Sequence, residues 1–386
     1  MTADNKKLQI LVCYEKGCGG ETIATENIIS EFKKKRDIKL VSFASSRLIR
    51  TDSLGFFSWV FGSILAWLKI VWKHKDYDWV YTTTYPAGTA SSILKPFSNY
   101  KICFHYHGSR LPERIKAKHP IRLIAQSIKF YAVFLLHKFF LNFTDLVVVP
   151  SVFSRDVLKK QFGLRGRRVV CIPSGVDLSS FKPVGPDKKR KLRSKYGIAR
   201  DSKVISYIGR VDRVKRIDLL LKVFALILKS RPATSLIIAY PRLTTDIEKT
   251  LLTHLKKIAS GLDLGRSVFW IDGEKNVSSL YGASDLIVSL SEQENFPLVM
   301  LEAMASKIIY TAIGAGGVKE ILSRVDPRLV LGSRTPSVLA DSILKIFALP
   351  PKEKIRFLNR GHFLAKQSQW KDVARRIYRQ LQGFSD

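Results

Sequence analysis

The run SEQENFPLVMLEAMA, from Ser291 to Ala305, contains the residues in this 386-residue chain that are best suited to chemistry. Two of its carboxylates, Glu294 and Glu302, have seven residues between them, and Pro297 stands in that interval. Proline suits a first helical turn, because its φ is already fixed and the N–H it lacks would find no partner there. A helix begun at Pro297 leaves the N–H groups of Leu298 and Val299 pointing out of its N-terminus, where hydrogen bonds and the macrodipole favour an anion. Glu302 then falls further along the same helix, and Glu294 lies in the loop before it. Such an element offers a diphosphate-sized anion site flanked by two acceptors for sugar hydroxyls, which is what a nucleotide-sugar needs. A capped amphipathic helix without a ligand would share several of these residues, so context has to decide. Asp285 to Leu290 reads as a buried strand, and a strand leading through a polar loop to a helix N-terminus is where open α/β sheets bind ligands. A glycine loop, Gly314-Ala315-Gly316-Gly317, follows the next apolar run, Ile308 to Ala312.

A second group of candidates follows the apolar run Val204 to Ile208. It comprises Gly209 and Arg210, then Asp212, Lys215 and Arg216. Gly209 lets backbone approach a ligand. Arg210 supplies forked donors for phosphate oxygens, and Lys215 a mobile point charge. In so basic a chain a solvated basic loop is the competing reading, and the Glu294–Glu302 helix is what favours phosphate.

The elements that must position these groups alternate between strand and helix. Leu8–Tyr14 reads as a strand, Gly17 to Gly20 as a turn and Thr22–Lys34 as a helix. This start resembles a nucleotide-binding unit, although Thr22 occupies the third-glycine position of GxGxxG. Further strands are expected at Ile38–Phe43, Trp79–Thr83, Lys101–Tyr106 and Leu146–Val149. After a Pro/Gly/Ser-rich connection, Ile172 to Pro183, and a charged run, Asp187 to Lys195, a second series is expected. Its strands lie near Val204–Ile208, Ser235–Ala239, Val268–Trp270, Asp285–Leu290 and Ile308–Thr311. The spacing predicts two doubly wound parallel sheets, in domains over residues 1–183 and 184–369. A last, Arg-rich amphipathic helix is expected over about 370–386, packing back on the first domain.

Hydrophobic content of 46% and charged content of 25% are ordinary for a globular chain. A net charge of +33 is not ordinary, and it calls for an acidic partner or a surface that tolerates one. Anionic membrane and nucleic acid both qualify. No helix-turn-helix, zinc-finger or aromatic RNA-binding signature is present, so the nucleic-acid reading rests on charge alone. Cys13, Cys18, Cys103 and Cys171 lack metal spacing and suggest a reducing compartment. The polar start, Thr2 to Lys7, shows no signal-peptide pattern.

Two apolar segments stand apart. The uninterrupted part of Leu54–Trp72, Leu54 to Leu68, would rise only about 22 Å as a helix, short of the ~30 Å hydrocarbon core. Ile121–Phe143 is longer but contains Lys129, His137 and Lys138, and the basic residues Arg110, Arg114, Lys116, Lys118 and Arg122 precede it or lie at its start. Aromatic residues beside dense Lys/Arg are the profile of an element lying in the membrane interface. Crossover helices packed on the sheet are the alternative for both segments.

Several of these stretches resemble the family 4 glycosyltransferases of the glycosyltransferase-B fold. They are ISYIGRVDRVKRIDLLLKVF, the segment from IDGEKN through SEQENFPLVMLEAMA, and IGAGGVKEIL. The likeness is in register over roughly Asp145 to Tyr378. It includes VVVPSVFSRDVL and VVCIPSGVDLSSFKP, and it is weaker in the N-terminal half, where Gly19-Gly20 and His107-Gly108 carry it. The resemblance implies two Rossmann-like domains facing a cleft, with Gly175 and its neighbours as a hinge. It implies that Arg210 and Lys215 hold the donor diphosphate, that Glu294 binds hydroxyls of the transferred sugar and that Glu302 accepts from the ribose. The backbone N–H groups of Phe296, Leu298 and Val299, with Gly209, would complete the cradle, and Gly19 and Gly20 would face the phosphates. His107 would sit near the sugar on the acceptor side; on sequence alone it serves equally as a strand-end histidine satisfying backbone groups. The family retains anomeric configuration without a divalent metal or other cofactor, so no metal ligand is assigned. Asn295 and Pro297 replace commoner glycines of the donor loop, and Lys307 and Ile309 stand where Gly and Pro are usual. Lys307 is expected to be left-handed at a helix end, at a cost of about 1 kcal/mol.

The expected activity is transfer of a sugar from a UDP- or GDP-linked donor to a lipid or lipid-linked saccharide. The protein would then be cytoplasmic, peripheral on the inner face of the cell membrane. A soluble acceptor and a non-catalytic basic binding protein are the alternatives.

Overall fold

A computed structural model describes residues 7–16, 19–35, 38–45, 56–108, 120–164 and 168–383. It divides into two compact units, Met1–Pro173 with Val373–Asp386, and Ser174–Asp372.

In the first unit the elements run β1 (Leu8–Glu15), α1 (Gly20–Lys33), β2 (Ile38–Ser45), α2 (Phe56–Lys73), β3 (Trp79–Thr82) and α3 (Tyr85–Leu94). They continue as β4 (Lys101–His105), α4 (Pro120–Phe143), β5 (Leu146–Val149), α5 (Val152–Phe162) and β6 (Arg168–Cys171). All pairings are parallel, in the order β2-β1-β3-β4-β5-β6. Direction reverses once, between β1 and β3, so the loops after these two strands flank the switch point. From β2 onward every step goes the same way, and right-handed crossovers put α2 to α5 on one face of the sheet. Their inward residues form one core with the strands, among them Trp67, Val71, Ala90, Phe140 and Leu158. Both apolar segments of the sequence are therefore crossover helices. Arg110, Arg114, Lys116 and Lys118, together with Gly17 and Cys18, lie outside the described residues.

The second unit runs α6 (Pro186–Lys195), β7 (Lys203–Ile208), α7 (Ile217–Ser230), β8 (Thr234–Tyr240), α8 (Asp246–Gly261), β9 (Val268–Asp272), α9 (Ser278–Ala283) and β10 (Leu286–Ser289). There follow α10 (Leu298–Ala305), β11 (Ile309–Ile313), α11 (Val318–Val325), β12 (Val330–Leu331), α12 (Pro336–Ala348) and α13 (Pro351–Lys366); the last helix, α14 (Trp370–Gln382), belongs from Val373 onward to the first unit. Its parallel sheet has the order β12-β11-β10-β7-β8-β9, which places the switch point between β7 and β10. The two strands that carry the candidate residues in their following loops are therefore neighbours.

The strand order is pinned at the other edge by a repeated device. Asp78, Asp145 and Asp285 each immediately precede a strand, and their carboxylates accept from the N–H groups of Gln9 (2.7 Å), Ile102 (2.7 Å) and Val204 (2.8 Å) on the adjacent strand. A lysine supports the device in each unit, Lys95 on Asp145 at 2.6 Å and Lys189 on Asp285 at 2.7 Å. Burial alone would raise the Asp285 carboxyl, but Lys189, Arg193 and the Val204 N–H bring it below its ordinary value. The charged run after the Pro/Gly/Ser-rich connection is helix α6, held by Lys189 and Arg193 to Asp285.

The first unit also ends earlier than the boundary at 183 that the sequence suggests. Val176 belongs to the core of the second unit, with Leu178 and Phe181 packed on it, and its N–H donates to Ser368 O at 2.8 Å. Beside it, a Cβ on Gly175 would stand 2.6 Å from Trp370 Cδ2 and 2.9 Å from its Cα. Gly175→Ala is expected to destabilise the protein by about 1–3 kcal/mol, read as a lowered thermal midpoint. An unchanged midpoint would show that Trp370 can move aside. From Val373 on, α14 is part of the first unit: Arg168 Nη2 donates to Gln380 Oε1 at 2.6 Å, and Lys35 lies over the Tyr378 ring at 4.4 Å.

Candidate functional site

The loop after β7 is shaped by the strand's own tyrosine. Tyr207 is buried and donates its hydroxyl to the Arg210 carbonyl at 2.7 Å, while the Gly209 N–H donates to Ala239 O at 3.0 Å. A Cβ on Gly209 would lie 2.9 Å from the Tyr207 hydroxyl, so the turn needs a glycine. Burial raises the Tyr207 phenol well above its ordinary value, so it stays protonated and acts as a donor. Asp212 then accepts from the Val214 N–H at 3.1 Å and caps a short 3-10 turn, Arg213–Lys215. Arg216 follows in the left-handed region, φ 51°.

Three loops are joined across the switch point. Lys215 Nζ lies 2.6 Å from Glu294 Oε1, and Arg216 Nη1 lies 2.6 Å from Glu292 Oε1. The Glu292 N–H donates to Val214 O at 2.9 Å, and the Gly317 N–H from the glycine loop after β11 donates to Glu294 O at 3.0 Å. Lys215 and Glu294 are largely buried, 20% and 13% exposed, so their attraction is less screened than that of a surface pair. Arg210 is half exposed and 3.8 Å from Asp212, held too loosely to be committed there.

The helix after this junction, α10, begins one residue later than the sequence suggested. Pro297 is its N-cap, with φ −75° and ψ 122°, and not part of the first turn. Its extended ψ explains the shift: the chain is still straight at Pro297 and turns only at Leu298. No side chain caps this end, and its first turn carries no acidic residue. The N–H groups of Leu298 and Val299 therefore keep the anion-binding character expected of a helix start. Phe296 and Val299 pack their side chains on the core and hold the loop against it. Glu302 accepts a hydrogen bond from the hydroxyl of Tyr281. Burial pushes the Glu302 carboxyl up to about 7, with the Tyr281 bond opposing. Tyr281 is fully buried and stands edge-on to Phe181, ring centroids 5.3 Å apart.

The structure thus brings together Gly209, Arg210, Lys215, Glu294, Phe296, Leu298, Val299 and Glu302 in the second unit. Sequence reasoning missed Tyr207, Tyr281 and the Arg216–Glu292 pair. Tyr207 stands in an apolar run and Tyr281 in a stretch of small residues, SSLYGAS, and both contexts say "core" and not "buried donor".

Gly19, Gly20 and His107 belong to the first unit. Gly19 is the N-cap of α1, φ −99° and ψ 167°, with nothing within 4 Å of where its Cβ would be, and Gly20 opens the helix. His107 follows β4, and its ring centroid lies 4.0 Å from that of His105. His107 Nε2 is buried without a partner, so this atom satisfies no backbone group. Burial lowers the His107 pKa to about 4 and leaves the ring neutral. His105 Nε2 and the hydroxyl of Thr84, just after β3, are also buried and unpartnered. Glu21, in the first turn of α1, is raised to about 7, chiefly by burial, with Thr83 opposing and Glu15 adding to the rise. A set of neutral polar groups therefore lines the first unit's switch-point end. Among the described residues no three His, Cys, Asp or Glu side chains gather as a metal ligand set.

Comparison with known proteins divides along the same lines. The family model Glycosyl transferases group 1 matches residues 188–361, and Glycosyltransferase Family 4 matches residues 31–180. The chain is 30% identical to mannosylfructose-phosphate synthase of Agrobacterium fabrum over 165 residues, 42% of this chain and 36% of that one. It is 30% identical over 171 residues to alpha-monoglucosyldiacylglycerol synthase of Streptococcus pneumoniae, 43% of this chain and 37% of the relative. These matches span less than two thirds of the relatives' length. Among solved structures, Anabaena HepE in complex with UDP and glucose superposes with a TM-score of 0.75 at 19% identity, covering 97% of this chain and 99% of that one. That likeness is one of fold.

Proposed function

We propose that this chain, which belongs to the family 4 glycosyltransferases, moves a sugar from a nucleotide-sugar donor to a lipid or lipid-linked saccharide. The observation that carries the proposal is the junction of Lys215 and Glu294 beside the uncapped start of α10. A cation and a helix N-terminus suit a diphosphate, and the adjoining carboxylate suits sugar hydroxyls. Arg210 and Lys215 hold the diphosphate and take up the charge that develops on it as the glycosyl bond breaks. Glu294 holds the transferred sugar, and Glu302, steadied by Tyr281, accepts from the ribose. Gly209 lets the backbone approach the phosphates, and the N–H groups of Phe296, Leu298 and Val299 complete the cradle. In the first unit, Gly19 and Gly20 take the phosphate-facing role and His107 the acceptor-side role. The transfer is retaining and metal-independent in this reading, with the leaving phosphate oxygen taking the proton of the acceptor hydroxyl. Anabaena HepE was solved with UDP and with UDP-glucose, which favours a UDP-linked donor.

A lipid acceptor is favoured by the net charge of +33 and by the diacylglycerol named for the S. pneumoniae relative. That acceptor would place the protein at the inner face of the cell membrane. A soluble phosphorylated sugar is the second reading, favoured by the name of the A. fabrum relative. No helix among the described residues is long and apolar enough to cross a membrane. The donor assignment is tested by thermal denaturation with UDP, GDP, ADP and their sugars, since a ligand of the folded state raises its midpoint. A rise of several degrees with UDP or UDP-sugars is expected, about 2.7 kcal/mol at a hundredfold excess over Kd. No rise with any nucleotide would overturn the proposal.

A further inference from the structure

We propose that the outer faces of α2 and α4 form the surface by which the protein docks on an anionic lipid bilayer, with their aromatic and aliphatic side chains in the interface and their lysines on the headgroups. The proposal deepens the membrane-face reading above and rests on it for its biological sense, but not for its geometry.

Successive α-helical residues are about 100° apart. On that wheel Phe61, Leu65, Lys69 and Trp72 of α2 fall within about 80° of one another, and all are exposed, Phe61 by 70% and Trp72 by 50%. On α4 the exposed Ile128, Tyr131, Leu135, Lys138 and Phe139 fall within about 100°. Tyr131 and Leu135 are each 61% exposed. These helices have no need of such faces for packing. Their opposite sides already reach the sheet through Trp67, Val71, Phe140 and Leu141. Each is thus apolar on two sides, whereas an ordinary crossover helix turns a polar side outward. The two lie on the same face of the sheet with α3 packed against both, so the stripes belong to one layer. Ile93 and Phe97, at the end of α3 and just beyond it, add exposed apolar surface.

Charge selects the occupant. Neither α2 nor α4 contains an Asp or Glu, while Lys69 and Lys73 stand on α2 and Lys138 on α4, all exposed. A second copy of this chain would bring lysine against lysine. An anionic lipid surface supplies the opposite charge over a wide area and accepts aromatic side chains at headgroup depth.

The experiment is co-sedimentation of the full chain with vesicles of phosphatidylcholine alone and of phosphatidylcholine mixed with phosphatidylglycerol, at low and high salt. The partition coefficient is compared among wild type, Phe61→Glu, Leu135→Glu and the double variant. Binding to the anionic vesicles is expected, weakened by salt, with each single variant about tenfold weaker and the double variant weaker still. Leu135→Phe should retain binding, and a thermal midpoint taken alongside checks that each variant is folded. UDP-induced stabilisation should be the same in every variant, so that failure of the donor assignment and failure of this surface are read separately. Wild-type binding that the Glu variants leave unchanged would overturn the proposal, as would no binding at low salt. A dimer that dissociates in the Glu variants, without vesicle binding, would assign the surface to a second copy instead.

Discussion

Lys215→Ala is expected to lower the rate of sugar transfer by about a thousandfold, and Glu294→Ala by a comparable factor. The two losses should differ in what they do to the nucleotide. Lys215 and Glu294 neutralise each other at 2.6 Å in a largely buried setting. Removing the lysine leaves a carboxylate facing the diphosphate, so UDP affinity should fall by roughly tenfold or more. Removing the glutamate leaves the cation unopposed, so UDP should bind as tightly as before or more tightly, while the sugar loses its hydroxyl acceptor. The double variant should lie between the singles for UDP affinity and be inactive. Calorimetric titration with UDP, alongside turnover of the sugar nucleotide, tests the whole pattern. Equal UDP affinity in both single variants, together with undiminished transfer, would leave the ion pair a structural clip and no more.

Glu302→Gln is expected to improve stability and harm function. The Glu302 carboxyl is held near 7 by burial, against an ordinary value near 4.5. Below about pH 4.5 it is protonated in both the folded and the unfolded chain and costs nothing. Between there and 7 the unfolded chain ionises while the folded one holds its proton, so stability falls as the pH rises. Above 7 the full penalty applies, of the order of 1–3 kcal/mol. Glutamine carries no charge, so the variant should be more stable than wild type at pH 8 and close to it at pH 4. Nucleotide affinity should fall by about tenfold or more, because an amide is a poorer acceptor for two ribose hydroxyls. Melting curves across this range, with nucleotide titrations at one pH, separate the two effects. A variant no more stable at pH 8 would mean that Glu302 is not under strain, and one with full affinity would take it out of the site.

Much of this could be read in the sequence, because it depended on periods and spacings. The alternation of strand and helix, the Gly209–Lys215 loop and the pair Glu294 and Glu302 are all local patterns. So was Lys307, whose left-handed conformation at φ 54° was expected where the chain leaves a helix without a glycine. What escaped is non-local. The charged run that forms helix α6 shows no apolar period, and Asp285, far along the chain, gives Lys189 and Arg193 something to hold. The two-residue β12 is too short to show a period, and it exists because β11 offers an edge to pair with. Tyr281 reads as core until its hydroxyl is seen to end on Glu302. The family assignment rests on the motifs of both halves, matched by one family model each.

The aspartates that clasp Gln9, Ile102 and Val204 sit at the amino edges of the two sheets, while Gly19, His107, Arg210, Lys215 and Glu294 all follow the carboxyl ends of strands. Cohesion and recognition are thereby kept at opposite rims. A substitution or insertion in the loops beyond β7, β10 or β4 leaves those clasps intact. Such a scaffold can exchange one glycosyl donor or acceptor for another by rewriting a few residues, without relearning how to fold.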